Sequence, residues 1–207
     1  SGPTVLEGAA GFFFLSRREF IMPLLHACNE ILPKLGERPV TSLEAKSPTL
    51  AVILPQIECE LDLCVAPGWW FNTAYNVDIF PDSEGNLMVP EDTISFITNR
   101  DQKDVVVRGD RFYRLHDRSY KFTEKVTGTL IQRVPFEELP ENAARFVMYS
   151  AMVTIYATDI GLEQVVQLWS AAATSAKALM EQEHLRHRGY SVKQNPRYRK
   201  LRAAMRG

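Results

Sequence analysis

Apolar residues recur at helical spacing from Phe20 and Ile21 through Leu24, Leu25, Cys28, Ile31, Leu32 and Leu35, and the pattern stops at Gly36. Ser16-Arg17-Arg18-Glu19, just before it, has the spacing of a capping box. The sequence therefore predicts an amphipathic helix, kinked or restarted at Pro23, followed by the loop GERPVTS. Ser47-Pro48 then reads as an N-cap with proline at the first helical position. Leu50, Ile53, Leu54, Ile57, Leu61 and Cys64 form a second stripe that ends at Pro67-Gly68, and Pro55 is expected to bend this helix. Two helices joined by a short loop make a helical hairpin.

After Gly68 the period changes. Trp69 to Phe80 is rich in aromatic and β-branched residues and reads as a strand. The turn residues Asp82, Ser83, Gly85 and Asn86 separate it from a short Leu87-Met88-Val89 strand. Thr93 to Thr98, Val105 to Arg108, Arg111 to Leu115 and Val126 to Val134 are further strand candidates, with hairpin chemistry at Gly109-Asp110. Helical periodicity returns after Pro140-Glu141, with Ala144, Val147, Met148, Ala151, Ile155 and Tyr156 on one face, and stops near Gly161. A last stretch from Leu162 to His187 places Val165, Val166, Leu168, Trp169, Ala172, Ala176 and Leu179 on its apolar face and ends at Gly189. Neither of these two stretches has an interior glycine or proline, so they should be the most stable part of the bundle.

The order helix, helix, β, helix, helix implies an α+β fold. A bundle of about four helices, built from residues 16–67 and 136–189, carries an inserted small antiparallel β domain at 68–135. Residues 1–15 read as an extension, and 190–207 as a tail.

Composition sharpens this picture at a few points. With 207 residues, 45% of them hydrophobic and 24% charged, the chain can bury a real core. The apolar run GAAGFFFL at 8–15 is too short to span a bilayer and lacks a basic flank, so a soluble protein with no membrane partner is expected. Cys28, Cys59 and Cys64 are odd in number and form no disulfide framework, which suits a reducing compartment. Charge is unevenly spread: His184 to Gly207 holds eight Lys or Arg and no acid, leaving 16 basic against 25 acidic residues before it. An acidic body with a basic tail suggests contact with a polyanion or an acidic protein surface.

Candidate chemistry is sparse. A glycoside hydrolase needs two facing carboxylates, and Glu137 and Glu138, with Asp78, Asp82, Glu91 and Asp92, are available beside Trp69 and Trp70 as a stacking platform. No spacing singles out a pair, and acids in turns or at helix starts commonly serve as caps. His26 and His116 lack a nucleophile context, and His184 and His187, three apart, lack a third metal ligand. No cofactor fingerprint is present, so no cofactor and no metal are expected. Arg108-Gly109-Asp110 spells an adhesion tripeptide, but such short matches are common by chance and a hairpin turn explains it fully. Tyr190, Tyr198 and the tail arginines could meet nucleic acid without sequence preference.

Read in order, several segments resemble the tail tubular protein A family of short-tailed bacteriophages, the gatekeeper or head-to-tail adaptor proteins. CNEILPKLGERPVTSLEA at 28–45 is similar to that family's N-x-I-L-x-x-I-G-E-x-P-V-x-S-L-E stretch, and GWWFN at 68–72 to its G-W-x-F-N. NLMVPEDTISF at 86–96 and FEELPENAARFVMYSAM at 136–152 continue the match in register. The chain departs from the family where Tyr113-Arg114 stands in place of Tyr-Asp, and in its N-terminal and C-terminal stretches. The resemblance implies a structural virion protein, located in the tail and assembled in the host cytoplasm. It would form a dodecameric ring between the portal and the tail nozzle protein (tail tubular protein B), continue the channel for genomic DNA and help attach tail fibres. Arg197, Arg199, Lys200, Arg202 and Arg206 then become candidates for portal or DNA contact. The rival readings are a hydrolase of host surface polysaccharide and a general nucleic-acid-binding module. Read as the start of a strand, GWWFN would put Trp69 and Phe71 on one face as a domain-junction anchor, leaving Trp70 for a subunit contact.

Overall fold

The structure is a computed structural model that describes residues 22–159, 161, 164–189 and 204. The predicted capping box at 16–19 and the basic tail lie outside the described residues. Among the described residues, α1 (Leu24–Ile31) opens directly after Pro23, whose carbonyl accepts from the amides of His26 and Ala27. A 3-10 turn, Leu32–Leu35, follows and closes on Gly36 at φ 80°. Glu37 N–H reaches Leu32 O at 3.0 Å and Gly36 N–H reaches Pro33 O at 3.2 Å, the paired bonds of a Schellman cap.

The loop that follows is held to α1 by Asn29, which donates from Nδ2 to Val40 O at 2.9 Å and accepts from Val40 N–H at 2.8 Å. One side-chain amide thereby imitates a backbone pair, which accounts physically for the joint presence of NEIL and PVTSL in the sequence. The predicted cap at Ser47 lies two residues early: its Oγ accepts from Leu50 N–H and its carbonyl from Ala51 N–H, each at 3.3 Å, while the cap position of the helix is Thr49, which makes no side-chain capping bond. α2 (Leu50–Val65) then runs through Pro55 as one helix. Pro55 and Ala51 both face solvent, where water can satisfy the Ala51 carbonyl left without an amide partner.

α3 (Glu141–Asp159) lies between α2 and α4 (Gln164–His187). Ile53, Ile57 and Leu61 of α2 and Ala143, Ala144, Val147 and Ala151 of α3 are fully enclosed in a single core. Each large side chain buried in this way contributes about 1.5–3 kcal/mol over an exposed one. All six residues predicted for the apolar face of α3 are buried. α4 follows expectation in part. Val166 and Ala176 of the predicted stripe turn inward together with Ala173 and Met180, and Trp169 packs against the core, whereas Leu168 and Leu179 are 68% and 48% exposed. The small residues at 173 and 176 allow α4 to pack closely on α3, and this rotates the two leucines outward.

The β region contains two antiparallel sheets. In the first, β5 (Val126–Gln132) is central between β1 (Thr73–Ile79) and β2 (Thr93–Thr98). In the second, β3 (Val105–Arg108) pairs with β4 (Arg111–Arg114) across Gly109-Asp110. Gly109 at φ 61° supplies the first central residue of this two-residue hairpin loop. The predicted Leu87-Met88-Val89 strand is instead an irregular crossing, tied by isolated bridges from Asn86 to Lys121 and from Met88 to Arg111. Leu87, Val105, Phe112, Phe122 and Val126 form a second core, separate from that of the bundle. Gly128 of β5 lies beneath the Phe96 ring, which stands 2.5 Å from where a Cβ would be. The fold is thus α+β, with four helices and small antiparallel sheets among the described residues.

Candidate functional site

The segment that joins helices to sheet is built around GWWFN. Gly68 ends α2 at φ 80°, and a Cβ there would meet Ile131 Cδ1 at 2.8 Å and Thr73 Oγ1 at 2.9 Å. Both the backbone conformation and the space require glycine. Residues 70–72 form a turn, so the strand expected from Trp69 begins only at Thr73, and the alternation of faces predicted for Trp69, Trp70 and Phe71 does not apply. Asn72 is the physical reason for the turn. Its N–H donates to Trp69 O at 3.2 Å, and its Oδ1 accepts from Trp69 N–H at 2.6 Å. Its Nδ2 donates to Val65 O at the end of α2 and to Gln132 O at the end of β5, both at 2.9 Å. One buried amide, 5% exposed, therefore connects the helix, the turn and the central strand.

Trp69 is 9% exposed and donates its indole N–H to Cys64 O at 2.6 Å. Trp70 and Phe71 are partly buried against the bundle core and meet edge to face, 5.1 Å apart. A second connection lies outside this turn: Arg133, just past β5, pairs with Glu58 and with Asp62, one turn apart on α2. These two carboxylates hold the guanidinium pKa above its ordinary value.

The C-terminal end of α4 packs onto the same turn. His184 meets the Trp69 ring edge to face at 5.4 Å, and His187 stacks on Trp70 at 5.1 Å with 7° between the planes. Arg188 donates to Tyr75 Oη at 2.7 Å. His184 Nδ1 is enclosed and has no hydrogen-bond partner. Its pKa falls below the usual histidine value because burial disfavours the cation, with Arg188 and His187 adding repulsion. Trp70, Thr73, Tyr75, His187 and Arg188 line an open pocket of about 530 Å³ at this seam.

Other candidates are dispersed. Glu137 and Glu138 are neighbours on an exposed 3-10 turn, Phe136–Glu138. Arg197, Arg199, Lys200, Arg202 and Arg206 lie outside the described residues. Cys28 and Cys64 are buried, and burial pushes their thiols up to about 11 and about 12; Cys59 is exposed. Among the described residues no group of three or more His, Cys, Asp or Glu is arranged to hold a metal ion. No helix among them is long and apolar enough to cross a membrane.

The geometry of this site is that of a rigid joint with outward-facing aromatic and cationic groups, and comparison with known proteins gives it a context. The profile of the family described as "Tail tubular protein" matches residues 25–190, which takes in all but the first residue of α1, the joint, both sheets and the whole of α4. The chain belongs to the tail tubular protein family. It is also similar to "Tail tubular protein A" of Klebsiella phage KP34, at 24% identity over 180 residues, covering 87% of this chain and 96% of that protein. Membership makes the chain a structural component of a phage tail, assembled with other virion components. Asn72, Arg133, Tyr75 and Arg188 were not singled out from the sequence. For Asn72 a signal existed, a polar residue closing an aromatic run after Pro-Gly; the partners of the other three are 71 to 113 positions away and left none.

Proposed function

We propose that this protein is the ring-forming adaptor of the tail, a gatekeeper that joins the portal to the nozzle protein (tail tubular protein B) and continues the DNA channel. The observation that carries this reading is the outer face of α4. From Gln164 to Met180 that helix holds a single charged residue, Lys177, while Leu168 and Leu179 are exposed beside exposed Ser170, Ala171, Thr174, Ser175 and Ala178. A solvated helix face normally carries interspersed charges, whereas depletion of charge marks the centre of an interface. In a ring each subunit offers one patch to the next, so a modest contact is repeated around the whole circle. An acidic body suits a channel wall along which DNA slides, since basic walls would hold phosphates. Trp69 and Phe71 then anchor the β region to the bundle and Trp70 sits at its margin, while the tail arginines face the portal or DNA and tail fibres attach outside.

The test is the mass, by light scattering, of the complex formed when the purified protein is mixed with portal protein. The wild-type chain should give a closed oligomer on the portal, and Leu168→Glu with Leu179→Glu should abolish it while leaving the circular dichroism spectrum unchanged. If the double variant assembled as the wild type does, α4 would not be the contact. If the wild-type chain bound neither portal nor nozzle protein, the adaptor reading would fail. On this reading the purified protein releases no reducing sugar from capsular polysaccharide; release that Glu137→Ala or Glu138→Ala abolished would instead favour the hydrolase alternative.

A further inference from the structure

The seam between the end of α4 and β1 has a chemistry that the joint itself does not use. Its pocket of about 530 Å³ has aromatic walls, Trp70 and Tyr75, and two cationic or hydrogen-bonding groups at the rim, His187 and Arg188. Stacking on Trp70 holds the His187 ring in place. Arg188 is oriented by its bond to Tyr75 Oη, which occupies one of its five N–H donors. Among the described residues no carboxylate pairs with Arg186 or Arg188, and the sequence beyond Glu183 contains no acid at all. The pocket is therefore positive, pre-oriented and without an internal counter-ion.

We propose that this pocket is a carboxylate-receiving site, which takes an acidic side chain from a protein segment laid across the seam between α4 and β1. Charge complementarity identifies the occupant as an anion, and shape selects among anions. A DNA backbone presents a convex row of evenly spaced phosphates and is met by an extended row of cations. Here one guanidinium sits at a single concavity between two rings, the arrangement that suits one planar carboxylate with apolar atoms beside it. The volume accommodates a few side chains rather than a duplex. The proposal does not depend on ring formation: the segment can belong to any acidic protein that meets this end of the molecule.

The test uses the full chain, with decameric polyglutamate as probe and decameric polyglutamine as the neutral control, followed by tryptophan fluorescence. Trp70 lines the pocket, so filling it should change the emission in a saturable, salt-sensitive way, and Trp70→Phe should remove that change. Arg188→Gln should weaken the apparent affinity about ten-fold, the worth of one charge-assisted pair. Tyr75→Phe keeps the ring but frees the guanidinium, and should weaken it by a smaller factor. Lys34→Gln removes one charge outside the pocket lining and should bind as the wild type does. The proposal is overturned if Arg188→Gln and Lys34→Gln behave alike, because polyglutamate would then be held only by general positive charge. It is equally overturned if polyglutamate leaves the Trp70 signal unchanged, or if a short DNA duplex produces that signal more strongly than polyglutamate.

Discussion

Replacing Asn72 by alanine removes the one side chain that touches the helix end, the turn and the central strand together. Three side-chain hydrogen bonds disappear, to Trp69 N–H, Val65 O and Gln132 O. Val65 O keeps a second donor, Gly68 N–H at 3.1 Å, so its loss is partly covered. Trp69 N–H has no such substitute and is left enclosed beneath a residue only 9% exposed. At about 0.5–1.5 kcal/mol for each bond, and about 1–3 kcal/mol for a buried donor left unpaired, the expected loss is about 3 kcal/mol. For a chain of this length that corresponds to a fall in Tm of about 6–12 °C. Asn72→Asp is the informative partner. It preserves shape and the acceptor facing Trp69 N–H, but turns a second oxygen towards two carbonyls. The introduced carboxyl is stabilised in its protonated form, so its folded pKa lies above its unfolded one. Stability relative to wild type should then decline as pH rises through that folded pKa, whereas Asn72→Ala should show no such slope. Urea unfolding followed by circular dichroism and tryptophan emission measures both variants. An Asn72→Ala loss below about 0.5 kcal/mol would refute the assignment of Asn72 as the tie of the joint, because an ordinary surface substitution costs that little.

Gly68→Ala should cost about 2–3 kcal/mol, combining a left-handed backbone with the 2.8 Å approach to Ile131, whereas Gly109→Ala, with φ 61° and open space around it, should cost about 1 kcal/mol; paired denaturation curves compare them. Arg133→Met should cost only about 0.5–1 kcal/mol, since the Glu58 and Asp62 side chains it clamps are half exposed, and the loss should shrink in 1 M salt. His184 has a folded pKa below its unfolded value of 6.5, so the unfolded chain binds more protons near that pH. Its contribution is fully present above pH 6.5 and is lost as pH falls through the folded pKa; His184→Gln should flatten that acid-side slope in a pH series of urea midpoints.

The four helices and most strands were legible because each satisfies a local rule: α3 buries all six residues of its periodic face, and the Gly109-Asp110 hairpin has the dipeptide its turn demands. Failures occurred where a distant partner overrode the local pattern. GWWFN has the composition of a strand, yet Asn72 finds its acceptors at Val65 and at Gln132, sixty residues on, and closes a turn instead. Leu87-Met88-Val89 likewise reads as a strand, but Met88 bridges to Arg111 while its neighbour Asn86 bridges to Lys121 in a separate segment, and neither bridge extends into a ladder. On α4 the predicted stripe was too wide: Val166, Trp169 and Ala176 face the core as expected, but Leu168 and Leu179, grouped with them by hydropathy, point outward, and Ala173 and Met180 take inward places.

That excess width bears on function. Sequence periodicity gives one apolar stripe to a helix and assigns it to the core, so a helix with two apolar faces is read as one broad face. The inward face of α4 holds Val166, Ala173, Ala176 and Met180, and the outward one leaves Leu168 and Leu179 in solvent. The joint behaves in the same way: Trp69 and Asn72 turn inward and hold the fold, while Trp70, Tyr75, His187 and Arg188 line an open pocket. In both places the residues that the fold leaves over lie beside the most rigid parts of the chain. A tail component that must keep its geometry while neighbours press on it needs its contact groups mounted on elements with locked rotamers and fixed backbone. Loosening the joint through Asn72→Ala should therefore weaken both proposed contacts together, the α4 face and the pocket, although it removes no residue from either.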